Sequence, residues 1–223
     1  MSLAGVRSNR GDGYQTLIAL DWTLTIILNS TYQWLEIDST SLDAIGQPIA
    51  IDDVVIGLTN GQLIGCQCKK NQPNFESWKI KELGDELKKA GQFLRDNTNA
   101  RVVFYTRGNF GAIAKLREHG ITQPNQQAYI ATLTKEHQLN NSELETYLSG
   151  INTLEFLQRC EFEQTVELSA LENRLMERLA YLVSNAKMAF MALWYDLDWL
   201  GLRGDNNDST AAIKHRLTRE DFL

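Results

Sequence analysis

Residues 51–70, IDDVVIGLTNGQLIGCQCKK, decide how this chain is read. Ile51–Leu58 is dominated by β-branched and apolar residues, which suit a pleated, half-buried surface, and is expected to be a strand. Asn60-Gly61 follows it, the strongest short-range signal for a chain reversal between two strands. In the next run, Gln62–Lys70, Leu63, Gly65, Gln67 and Lys69 alternate with Ile64, Cys66 and Cys68. Successive strand side chains point to opposite faces, so Gln67 and Lys69 project to the same side. Folding the two strands together about the turn then makes Asp53, Gln67 and Lys69 converge.

Working outward, Leu17–Leu28 is apolar-rich, opened by Gly11, Asp12 and Gly13, and suits a largely buried first helix. Trp34–Ile37 reads as a short strand, and Gly46 with Pro48 marks a turn. Downstream, Trp78, Leu83, Leu87, Ala90 and Leu94 form an apolar stripe on a polar helical segment, Trp78–Asp96. Arg101–Thr106 (RVVFYT) is a short bounded run typical of a central strand, and a helix is expected over 110–119. The order of helix, three meandering strands, helix, strand and helix predicts an α/β sandwich with a mixed sheet. Beyond residue 130 a helical extension is expected over 131–200. It comprises a helix at Glu143–Leu148 capped by Asn141-Ser142, a segment 152–162 after the break at Gly150, and one long helix from Ser169 to Leu200. Gly201–Ser209 is linker-like, and Thr210–Leu223 begins another element, so residues 201–223 are read as a linker to a further domain.

Composition sets the outer bounds. With 223 residues, 43% hydrophobic and 22% charged, the chain can bury a sizeable core. Cys66, Cys68 and Cys160 lack zinc-ligand spacing and are read as reduced thiols of a cytoplasmic protein. There is no signal-peptide stretch and no apolar run long enough to span a membrane. The formal charge of −6 weighs against a polyanionic partner, but the acidic surplus is C-terminal. Residues 1–120 hold 13 Lys and Arg against 13 Asp and Glu, and residues 121–223 hold 9 against 15. His119 and His137 stand singly in polar stretches and receive no role.

Hydrolysis of a phosphodiester needs a hydroxide near neutral pH, a Lewis acid on the phosphate and a cation near the developing charge. A carboxylate with one more oxygen ligand can hold Mg²⁺, which keeps several waters and is completed by substrate phosphate. Asp53, Gln67 and Lys69 supply that set of groups. Two simpler readings compete: a solvated strand face for Gln67 and Lys69, and a turn pair for Asp52 and Asp53. Lys70, Lys79 and Lys81 are candidate phosphate contacts, although a solvated helix face explains the last two equally well.

Asp53, the turn and Gln67-Cys68-Lys69 together resemble the D…QxK form of the PD-(D/E)xK nuclease motif. Gly13-Tyr14-Gln15 is similar to the helix signature of Mrr-like nucleases, and Glu36 to Asp53 to the E…DD stretch of nuclease domains in bacterial anti-phage effectors. The resemblance covers residues 1–130 and implies a restriction-endonuclease-like core. It implies Mg²⁺, or Mn²⁺ in its place, held by Asp53, the Gln67 side-chain oxygen and the Cys68 backbone carbonyl. Lys69 would orient the attacking water or stabilise the phosphorane. Gln67 is neutral where many relatives carry Glu, which weakens the metal site; Glu36, Asp52 and Gln15 are the candidates to compensate. Asp53 is placed ahead of Asp52 because it directly precedes the apolar run, although a one-residue slip of register exchanges the two. The expected function is an endonuclease acting on double-stranded DNA, an effector module of prokaryotic antiviral defence. Similar domains work as homo-oligomers fused to a sensor (SAVED, in CBASS systems) or to a STAND ATPase (Avs proteins). The alternative is a catalytically degenerate domain that binds nucleic acid or serves oligomerisation.

Overall fold

The computed structural model describes residues 13–37, 51, 53–69, 77–202 and 216–222. The candidate Asp52 and the lysine at position 70 lie outside the described residues. In chain order the first elements are α1 (Gly13–Leu28), β1 (Tyr32–Ile37), β2 (Val54–Leu58), β3 (Leu63–Lys69), α2 (Gly84–Asp96), β4 (Arg101–Thr106) and α3 (Gly111–Gly120). They are followed by α4 (Gln126–Ala131), α5 (Lys135–Glu145), α6 (Thr153–Arg159), β5 (Cys160–Gln164), α7 (Leu168–Ala180), α8 (Ala186–Leu202) and β6 (Arg216–Thr218). The fold is mixed α/β and divides into two compact units, Met1–Leu63 with Val166–Leu223, and Ile64–Thr165.

In the first unit β1 is the middle strand of an antiparallel set, paired with β2 through Leu35↔Ile56 and with β6 through Leu35↔Leu217. The helix α1 is apolar on almost every side and is correspondingly buried from Tyr14 to Ile26. Its threonines satisfy their own hydroxyls, Thr23 donating to the Ala19 carbonyl (3.0 Å) and Thr25 to that of Asp21 (2.9 Å). Leu171, Leu175 and Leu179 form the buried stripe of α7, while Arg178 and Arg174 of that helix form ion pairs with Asp21 of α1.

The turn expected at Asn60-Gly61 is present. Gly61 has φ 81°, the Leu58 N–H donates to the Gln62 carbonyl (2.9 Å) and the Gly61 N–H to that of Leu58 (3.0 Å). The Asn60 side-chain oxygen accepts the Gln62 N–H (3.0 Å). This is a three-residue reversal with Gly at the left-handed position, where other side chains are strained.

The second unit is built on a parallel set with β4 in the middle, paired to β3 through Gln67↔Phe104 and to β5 through Phe104↔Phe162. Phe104 and Phe162 stack at 5.1 Å, and Phe110 closes the cluster at 5.1 Å from Phe162.

Several elements differ from the sequence expectation. The single helix expected from 169 to 200 is two helices. The Asn185 side-chain oxygen accepts the Met188 N–H (3.0 Å), an N-cap that restarts the chain as α8. The helix expected at 143–148 instead starts at Lys135, where Thr134 caps it by accepting the His137 N–H. The segment 152–162 is a short helix capped by Asn152 and then the strand β5. The element expected after Thr210 is β6 followed by one 3₁₀ turn, Arg219–Phe222. Among the described residues no helix is long and apolar enough to cross a membrane.

Candidate functional site

Gln67 and Lys69 lie on β3, where the expected alternation sets them on one face, but the burial differs from a solvated face. Gln67 is only 3% exposed. Its sole hydrogen bond among the described residues is a long one, from its amide nitrogen to the Cys66 carbonyl (3.5 Å). Among the described residues its side-chain oxygen accepts no hydrogen bond. Phe104 and Phe162 continue its row across β4 and β5, so this amide sits beside an aromatic surface.

Lys69 is held from two sides. Its Nζ forms an ion pair with the Glu86 carboxylate of α2 and lies 5.3 Å from the centre of the Trp78 ring. Thr106, the β4 partner of Lys69, is fully buried and accepts a hydrogen bond from the Trp78 indole N–H (2.7 Å). The Thr106 hydroxyl oxygen also accepts the Gly108 N–H (3.3 Å). Strand register thus fixes the ring, and the ring and Glu86 fix the ammonium.

The other candidates belong to the first unit. Gln15, near the start of α1, donates its amide nitrogen to the Asp53 main-chain carbonyl (2.7 Å), clamping the backbone where β2 begins. Glu36 of β1 is 1% exposed and receives Arg216 Nε of β6 on its Oε1 (2.8 Å). The Arg216 guanidinium also covers the Trp34 ring at 3.8 Å. A carboxylate so deeply buried requires a partner. Arg216→Ala removes that cation; because Arg216 itself is 39% exposed, the expected loss is about 2 kcal/mol, below the figure for a fully buried pair. Urea denaturation measures it.

Two groupings escaped sequence reasoning. Glu86 and Trp78 are 17 and 9 residues from Lys69 and carry no motif; the only signal was an acidic residue in the first turn of a helix next to a strand lysine. His119 and His137, which looked isolated, have ring centres 5.6 Å apart. The Thr132 hydroxyl lies 3.0 Å from His119 Nε2, 2.8 Å from the Ala128 carbonyl and 3.1 Å from that of Tyr129. Cys160 is fully buried, and burial pushes its thiol well above the usual range, which keeps it protonated. Among the described residues no three His, Cys, Asp or Glu side chains gather as a metal cluster. The expected metal set contains one carboxylate only, with an amide and a main-chain carbonyl, and the Gln67 side-chain oxygen, which accepts no hydrogen bond among the described residues, has the chemistry of such a donor.

No family model matches the chain, and no curated protein matches its sequence. Solved structures do match its fold. A Cap4 SAVED/CARF-domain containing receptor of Acinetobacter baumannii with the cyclic trinucleotide 2'3'3'-cAAA superposes with a TM-score of 0.55 at 13% identity. The match covers 96% of this chain and 43% of that one. The corresponding receptor of Moraxella osloensis gives 0.52 at 15% identity, over 95% of this chain and 45% of that one. The chain spans less than half the length of these receptors, and over nearly all of its own length it shares their fold.

Proposed function

We propose that this chain is a metal-dependent nuclease that cuts double-stranded DNA as the effector part of a prokaryotic antiviral system. The observation that carries the reading is Gln67, a largely buried amide whose oxygen accepts no hydrogen bond among the described residues, two residues from a lysine held by Glu86 and Trp78. A cation with its waters is the partner that the D…QxK order calls for at that oxygen. Asp53, the Gln67 oxygen and the Cys68 carbonyl are the groups that would hold Mg²⁺ or Mn²⁺. The bound ion supplies a Lewis acid at the phosphate and acidifies a coordinated water.

The chain's own residues do the rest. Lys69 keeps a donor-rich cation beside the phosphate, where it orients the attacking water or meets charge developing on the phosphate oxygens. Glu86 is a positioning residue for Lys69, and Gln15 positions the Asp53 backbone. Glu86→Gln is expected to lower kcat about tenfold while leaving KM near its original value, with partial rescue by Glu86→Asp, because misplacing one catalytic group costs rate rather than binding. The fold likeness to Cap4 receptors supports the defence setting, as does the resemblance of the motif to anti-phage nuclease domains. In that setting a homo-oligomer switched by an attached sensor is the working form.

The test is conversion of supercoiled plasmid in Mg²⁺ or Mn²⁺ by the chain and by Asp53→Asn. Metal-dependent nicking that falls at least about a thousandfold in the variant is expected, given several kcal/mol of ion-derived stabilisation. Equal cutting by both proteins would remove Asp53 from the site. A second reading, favoured by the cyclic trinucleotide in one of the Cap4 structures, makes this chain a nucleotide sensor. It predicts saturable thermal stabilisation by a cyclic trinucleotide and no metal-dependent cutting.

A further inference from the structure

The second unit contains a cleft of about 450 Å³ that the nuclease reading does not use. Ser77, Trp78, Lys79 and Lys81 line one side, and Asn140 and Glu143 of α5 also line it. Lys79 and Lys81 are exposed, whereas the wall that carries them is fixed. Ser77 is bridged to Asn109, the Trp78 N–H donates to the Asn109 carbonyl (3.0 Å), and the indole N–H is tied to Thr106. Trp78 therefore serves two places. It is the ring beside which Lys69 sits, and it is part of the cleft lining.

From this geometry we infer that the cleft is a subsite for one nucleotide of the DNA strand adjacent to the cut, a proposal that rests on the nuclease reading. The chemistry divides along the cleft. Two ammonium groups suit a phosphate, and a rigid indole suits the flat face of a base or the sugar edge. Glu143 repels phosphate, so the phosphate is directed to Lys79 and Lys81. Neither the Asn140 amide nor the Glu143 carboxylate has a side-chain partner among the described residues. An amide oxygen and a carboxylate accept from exocyclic amino groups, so the bases they suit are adenine, cytosine and guanine rather than thymine. Lys69 is expected to engage the neighbouring phosphate, because its ammonium shares the Trp78 ring with the cleft.

The experiment is fluorescence anisotropy of a labelled duplex in EDTA, where no cutting occurs, across a salt series. The chain is compared with Lys79→Glu/Lys81→Glu, with Asn140→Asp, and with Lys187→Glu as a charge change outside the cleft. The double variant is expected to bind at least tenfold more weakly and to lose about two from the slope of log affinity against log salt. Asn140→Asp, which adds a second carboxylate without touching either lysine, should weaken binding several-fold, and Lys187→Glu less than twofold. Absence of duplex binding by the unaltered chain, or a double variant within twofold of it, would overturn the subsite. The nuclease reading is judged separately, by cutting in Mn²⁺ with Asp53→Asn, so binding through the cleft without any cutting would sink that reading and leave the subsite standing.

Discussion

Lys69→Ala is expected to lower metal-dependent cutting by two to three orders of magnitude, about what is lost when one preorganised donor is removed from a developing oxyanion. The stability change should be small. Lys69 and Glu86 are 30% and 23% exposed, and a pair that open to water contributes at most about 1 kcal/mol. Loss of rate without loss of fold is therefore the signature that separates a catalytic lysine from a structural one, and initial rates beside a urea curve measure both. Lys69→Arg should recover only part of the rate. A guanidinium can fill the place between a carboxylate and an indole ring, as Arg216 does between Glu36 and Trp34, but its delocalised charge and fixed fork do not reproduce the position of a compact ammonium. Full activity in Lys69→Ala would leave Gln67-Cys68-Lys69 as a chance string.

The largest expected effect on stability comes from adding a single methyl group. Gly57→Ala would place a Cβ 2.0 Å from Cε2 of Trp34, well inside contact distance. The ladder of β1 and β2 shifts register between Tyr32 and Trp34, and this irregularity sets the indole across Gly57. The ring cannot retreat cheaply, because Arg216 covers it at 3.8 Å while holding the buried Glu36. Overpacking at such a place costs about 3 kcal/mol, visible as a lower urea midpoint with an unchanged slope. A double variant, Gly57→Ala with Trp34→Leu, should regain part of the loss. Strict additivity of the two changes would mean that Trp34 is not what excludes a side chain at Gly57.

What the sequence disclosed follows physical lines. The strand pattern of Arg101–Thr106 and the turn at Asn60-Gly61 were legible because alternation and left-handed glycine are local requirements. The start of α8 was also legible in principle: Asn185 is an N-cap, but the apolar stripe on both sides of it suggested an uninterrupted helix. The strand β5 was hidden because CEFEQ is short and half charged, and it becomes a strand only through pairing with β4. Likewise β6 is three residues long and owes its state to β1. Of the candidate site, the shared face of Gln67 and Lys69 could be read from spacing. Burial of Gln67, the Glu86 and Trp78 bracket, the clamp from Gln15 to the Asp53 backbone and the Arg216 partner of Glu36 could not. Each depends on residues distant in sequence, for which one chain offers no pattern.

The central proposal is that Gln67 and Cys68, together with Asp53, are ligands of a catalytic cation. The most direct measurement is the anomalous scattering of Mn²⁺ in crystals of the chain grown or soaked with the ion. The predicted result is a peak bound by the Asp53 carboxylate, the Gln67 side-chain oxygen and the Cys68 carbonyl at roughly 2.1–2.2 Å, with water completing an octahedral shell. A Mn²⁺ peak bound by other residues, or saturating Mn²⁺ with no density at the Gln67 side-chain oxygen, would contradict it.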